Sequence, residues 1–110
     1  MNYQHKNLAA GKWSELSFAE QMANIGSEVG RTITWKNKAN VEYSQRAYER
    51  ALELLDLTIR DGKNKARLKE LLRVREAMND HFIFDNEYNS SDESWQKYFL
   101  GFNFAARART

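Results

Sequence analysis

The chain contains no cysteine and no proline, and only five glycines in 110 residues. Without cysteine there is no disulfide framework, thiolate metal site, cysteine nucleophile or redox switch. Ordinary chains use proline at about 5% of positions, so its absence removes the commonest helix breaker and points to a mostly helical protein. No apolar run approaches the roughly 20 residues that span a bilayer. The stretch Met1 to Lys12 is polar and lacks the apolar segment of a secretory signal, so a cytoplasmic location without membrane contact is expected. Histidine is scarce too. Neither His5 nor His81 has a glutamate three residues before it, as the metal-binding carboxylate bundles require. Glycine-flanked serine elbows, phosphate-binding glycine loops and dinucleotide fingerprints are missing as well. No metal and no cofactor is therefore expected.

What is present is helical periodicity. The length suits one domain, and 42% hydrophobic residues suffice for a modest core. Residues 1–12 carry no period and read as a flexible tail, leaving 13–110 as the folded domain. Ser17 and Glu20 form a capping box. Behind it Phe18, Met22, Ile25, Val29 and Ile33 fall on one stripe of a first helix. Beside them run Ala19, Ala23, Gly26 and Gly30. Glycine inside a helix costs about 1 kcal/mol relative to alanine, so Gly26 and Gly30 are expected where a neighbouring helix approaches closely.

Residues 35–40 turn the chain, with Asn37 or Asn40 as the next cap. A second helix runs from Val41 to Arg60, its inner face read as Val41, Tyr48, Leu52, Leu55 and Ile59, and Gly62 is expected to stop it in a left-handed conformation. A third spans from about Asn64, its expected cap, to about Phe84 on a stripe of Leu68, Leu71, Leu72, Met78 and Phe82. Ser90 and Glu93 cap a fourth, which presents Trp95, Tyr98, Phe99, Phe102 and Ala106. The fold class that follows is all-α, a single up-and-down four-helix bundle with the third and fourth helices as antiparallel neighbours.

The net charge of +2 conceals an uneven distribution. Arg60 to Arg75 holds seven basic residues and two acids, whereas Asp80 to Glu93 holds five acids and neither lysine nor arginine. The basic stretch has no interleaved aromatics to stack bases, so a solvated helix start is favoured over an RNA contact. An antiparallel dimer would set one chain's acidic loop against the other's basic turn. Trp35, Leu57, Leu100 and Phe104 lie off the main stripes and together suggest a patch for a partner.

Arg75 sits in the middle of the third helix's apparent apolar stripe. A guanidinium there needs a partner, because an unpaired buried charge costs several kcal/mol. Three readings stand: a pair with Glu28 or Asp56, a place at a dimer seam, or a site shared with His81. The segment Arg75 to His81 (REAMNDH) resembles the HEPN family of helical ribonucleases, frequently toxins. The resemblance implies that Arg75 and His81 meet across a dimer interface, the histidine handling protons and the arginine stabilising charge on phosphate. Glu76 departs from the family pattern, which favours Asn, Asp or His directly after the arginine. Residues 13–16 (WSEL), 20–31 (EQMANIGSEVGR) and 48–57 (YERALELLDL) are similar to small prokaryotic all-helical proteins with no assigned activity. Two function classes follow. The favoured one is a non-enzymatic, self-associating protein-interaction domain, a homodimer; the other is a HEPN-like ribonuclease or RNA-binding protein using Arg75 and His81.

Overall fold

A computed structural model describes residues 11–108. The tail expected over 1–12 lies almost wholly outside the described residues. Its last member, Lys12, already belongs to a 3₁₀ turn, Lys12–Glu15, whose Trp13 is buried. Gly11 precedes that turn at φ 112°, a left-handed conformation that favours glycine.

The first helix, α1 (Phe18–Asn37), starts where the capping box places it. The Glu20 amide donates to Ser17 Oγ at 3.1 Å and the Ser17 amide donates to Glu20 Oε1 at 2.9 Å. Met22, Ile25, Val29 and Ile33 are all buried, as their spacing requires. Of the two cap candidates after α1, Asn40 is the one used. Its Oδ1 accepts from the Tyr43 amide at the start of α2 (Val41–Arg60).

The inner face of α2 differs from the expected one. Ala47, Ala51, Leu55 and Thr58 are fully buried, whereas Val41 is 65% exposed and Leu52 and Ile59 sit at the flank. Two alanines at the centre let α1 and α2 approach closely, and larger side chains are displaced to the edges. Ser44 Oγ donates across this contact to the Thr32 carbonyl at 2.9 Å.

Asp61, not Gly62, ends α2. Its backbone is extended, and its carboxylate accepts from the Lys63 amide to open a 3₁₀ segment, Gly62–Arg67. Gly62 is not left-handed. α3 follows as Leu68–Phe82, and Asn64 is not its cap but a buried side chain. The buried face of α3 is Leu71, Val74 and Met78; Leu68 and Leu72 are exposed. α4 (Asp92–Arg107) is capped one residue later than expected, by Ser91 with Ser94 closing the box. Ser90 instead accepts from the Trp95 indole at 3.1 Å. Trp95 and Phe99 are buried and Tyr98 and Phe102 half-buried, so this helix does supply aromatic core volume.

The four α-helices of the described residues thus pack on one core, and α1 is its centre. α1 lies closest to α2 on one side and α4 on the other; α3 packs on α2 and reaches α4 through side chains, including a Tyr98–Glu70 hydrogen bond of 3.1 Å. Backbone proximity therefore pairs α4 with α1 more closely than with α3, a correction to the expected neighbours. At that α1–α4 contact a Cβ on Gly26 would stand 2.6 Å from the Phe99 Cβ, whereas one on Gly30 meets none of the described residues within 4 Å. Close approach thus accounts for Gly26 and not for Gly30. No helix among the described residues is long and apolar enough to cross a membrane.

A buried polar cluster closes one end of the core. The Trp13 indole donates to Thr58 Oγ1 at 2.9 Å; Gln21 Nε2 donates to the Trp13 carbonyl and to Asp61, each at 2.9 Å. Asn64 Nδ2 donates to Gln21 Oε1 at 2.8 Å and to the Thr58 carbonyl at 3.0 Å. Buried amides left unpaired would each cost about 1–3 kcal/mol; here they are satisfied and bind the N-terminal turn, α1 and the α2–α3 junction together.

Two outcomes test this packing. Gly26→Ala should lower unfolding free energy in urea by about 1–3 kcal/mol through overpacking on Phe99, while Gly30→Ala should be neutral or stabilising by up to about 1 kcal/mol. Equal effects at the two positions would contradict the Gly26 contact. Asp61 supplies the second. Burial opposes its charge, yet hydrogen bonds from Lys63 and Gln21 outweigh burial and hold the carboxyl below its ordinary value. A carboxylate with a depressed folded pKa stabilises above about pH 4 and loses that contribution as pH falls further. Asp61→Asn should therefore be less stable than the wild type at neutral pH, and the gap should close near pH 3. A gap that is unchanged by acid would contradict the assignment.

Candidate interaction groove

The roll of α3 decides what this helix offers to solvent. Arg75 Nε donates to Asp56 Oδ1 at 2.8 Å, and both side chains stay 38% exposed. One turn on, the Tyr48 hydroxyl donates to Asn79 Oδ1 at 2.6 Å. Burial pushes the Tyr48 hydroxyl well above its ordinary pKa, against a smaller opposing effect of Arg75, so it stays a donor. The hydrogen bond to Asp56 raises the Arg75 pKa above its already high value. Of the two acceptors considered for Arg75, Asp56 is used. Glu28 instead takes Arg31 at 2.9 Å and Arg50 at 3.1 Å.

Past Phe82 the chain leaves the helix and folds back along it. The Ile83 and Phe84 amides both donate to the Asn79 carbonyl, and Asn86 and Asn89 adopt left-handed conformations at φ 55°. Asp80 accepts from the amides of Glu87 and Tyr88 at 2.8 and 3.0 Å. The Tyr88 hydroxyl donates to Glu76 at 2.7 Å, and that bond raises its pKa. Between this loop and α3 lies a cavity of about 550 Å³, open to solvent and lined by Leu72, Arg75, Asn79, Phe84, Tyr88 and four carboxylates, Glu76, Asp80, Asp85 and Glu87. Leu72 is 50% exposed and Phe84 70%.

His81 is not in this groove. Its ring is 8% exposed, edge-on to Phe82, with Nε2 sharing a 2.8 Å hydrogen bond with Asp92 Oδ1. Lys36 donates to the same oxygen at 2.8 Å. Burial opposes the Asp92 charge, but Lys36 and His81 outweigh it and hold this carboxyl below its ordinary value. Arg75 and His81 are six residues apart and so point about 120° apart around α3. Within one chain the structure does not bring them together. His81 Nδ1 is buried without a hydrogen-bond partner among the described residues.

The four patch candidates do not form one surface. Trp35 packs edge-on against Tyr43 at 4.9 Å near the C-terminal end of α1. Leu57 packs against the core from α2. Leu100 and Phe104 are exposed on α4. Because Lys36 meets Asp92 and Phe18 meets Phe102, α1 and α4 run in opposite directions. Phe104 therefore lies near the start of α1, roughly 25 Å from Trp35 at 1.5 Å per residue. The apolar surface that does cluster was missed by sequence reasoning: Leu72, Phe84 and Tyr88. One signal for it existed. An arginine inside an apparent apolar stripe marks the stripe as misphased, and rotating it toward Val74 turns Leu72 outward.

Among the described residues, no group of three or more His, Asp or Glu side chains is placed to hold a metal ion. The groove's apolar walls and carboxylates suit an apolar, cationic segment. A polyanion would meet four negative charges and an arginine already paired.

A double-mutant cycle on Arg75→Ala and Asp56→Ala should give a coupling of about 0.5–1 kcal/mol, the range of partly exposed ion pairs. Zero coupling would mean that the pair does not hold α3. Comparison with known protein families, with curated proteins and with solved structures finds no match for this chain.

Proposed function

We propose that this chain is a non-enzymatic, self-associating protein-interaction domain that forms a homodimer through the α3 groove. The observation that carries this reading is the exposure of Leu72 and Phe84 inside a cavity whose rim is acidic. Apolar surface of this kind gains stability when a partner covers it, at about 25 cal/mol per Å². The basic stretch at the other end of α3 supplies the complementary charge. A cytoplasmic setting belongs to the same reading and rests on the cysteine-free composition.

The scaffold behind the groove reads as a single up-and-down bundle. Contacts between helix ends support it. The start of α1 meets the end of α4, Asp56 and Tyr48 of α2 meet Arg75 and Asn79 of α3 in reverse order, and Glu70 of α3 meets Tyr98 of α4 while His81 meets Asp92.

Sedimentation equilibrium tests the reading. The wild type should be dimeric at micromolar concentration, and Phe84→Asp should be monomeric with unchanged helicity and, in protein too dilute to dimerise, unchanged melting. A wild type that stays monomeric at high concentration, or a Phe84→Asp variant that dimerises as well as the wild type, would overturn it.

A further inference from the structure

The solvent side of α3 carries charges in a particular order. Lys69, Arg73, Glu76 and Asp80 follow one another at spacings of four, three and four. At 100° per residue they fall within an arc of about 60°. Two positive charges thus precede two negative ones along a single stripe. Lys69, Arg73 and Glu76 are exposed and Asp80 is half-buried. Neither Lys69 nor Arg73 has an ion-pair partner among the described residues. Even Arg73 and Glu76, at a spacing that commonly pairs on a helix, are not bridged within the chain. Glu76 also accepts from the Tyr88 hydroxyl, and Asp80 from the Glu87 and Tyr88 amides.

A stripe ordered plus, plus, minus, minus is complementary to itself when reversed. Two-fold symmetry performs that reversal, because the same patch serves both subunits. We propose that a second copy of this chain docks on α3 antiparallel to it, about a two-fold axis that passes between Arg73 and Glu76 on the solvent side. Arg73 then faces Glu76 of the second copy and Lys69 faces its Asp80, and symmetry makes each pair twice. The proposal rests on the self-association reading above and specifies its geometry. Leu72 and Leu68, 50% and 39% exposed beside the stripe, come under the second copy. The same register carries Lys65 of the second copy, itself exposed, to the mouth of the groove beside Asp85. Charge order decides the orientation, since a parallel pairing would set like charges against each other at each of the four positions.

Charge reversal tests the register, with self-association measured by sedimentation and fold by circular dichroism. Arg73→Glu and Glu76→Arg should each weaken the homodimer at least about tenfold, because each sets like charges in contact twice. An equimolar mixture of the two should associate within about threefold of the wild type, as should the variant carrying both substitutions, because opposite charges then face each other again. Both side chains are exposed, so in protein too dilute to dimerise each variant should melt close to the wild type. Single variants that dimerise like the wild type, or a mixture no tighter than its components, would overturn the α3 pairing while leaving self-association intact. A monomeric wild type would overturn both.

Discussion

Three polar ties from α2, one to the 3₁₀ segment that leads into α3 and two to α3 itself, set the rotation of α3 about its own axis, and the groove depends on that rotation. The ties are Asn64 to the Thr58 carbonyl, Arg75 to Asp56 and Asn79 to Tyr48. They span the helix from the segment before its first turn to its last. With them made, Leu71, Val74 and Met78 point inward and Leu68 and Leu72 outward. The alternative rotation would bury Leu72 and draw Arg75 toward the core. Half-burying a leucine forgoes on the order of 1 kcal/mol, while confining a guanidinium without its carboxylate costs several. The exposed leucines follow from that inequality.

The rest of the molecule keeps α2 in place for those ties. α1 is packed on both sides, by the alanine face of α2 and by the aromatic face of α4 at Gly26. The Gln21–Asn64–Thr58 cluster then joins α1 to the same α2–α3 junction that positions Asn64. At the opposite end, Asp92 gathers Lys36 of α1 and His81 of α3 at the first turn of α4, where the helix dipole also favours a carboxylate. α3 is thereby held at both ends with its outer side uncovered, and the loop over 83–90, pinned by Asp80, frames the cavity beside it.

Much of this fold is legible in the sequence where local chemistry is strong. Ser17 with Glu20, the apolar spacing of α1, the limits of α2 and the aromatic face of α4 all read correctly, because each is decided by the residues within a turn or two. Reading fails where a tertiary partner decides. Gln21 and Asn64 are polar and look solvent-facing, yet each is buried because the other is there. Gly30 resembles Gly26 in sequence, but only Gly26 faces Phe99. Gly62 follows a helix end that Asp61 terminates with its own side chain. The groove was the least legible feature. Counting Leu68 and Leu72 as core concealed it, and only the partners of Arg75 and Asn79 reveal that α3 is rotated away from them.

The central claim is this rotation, and a chain without cysteine allows a direct measurement of it. Single cysteines at Leu71 and Leu72 can be timed against a thiol reagent under native conditions. In dilute protein the Leu72→Cys thiol should react nearly as fast as an unprotected one, slowing as concentration rises and a second copy covers it. The Leu71→Cys thiol should react only through unfolding, at every concentration. Equal protection of the two positions in dilute protein would contradict the rotation of α3 and the groove that follows from it.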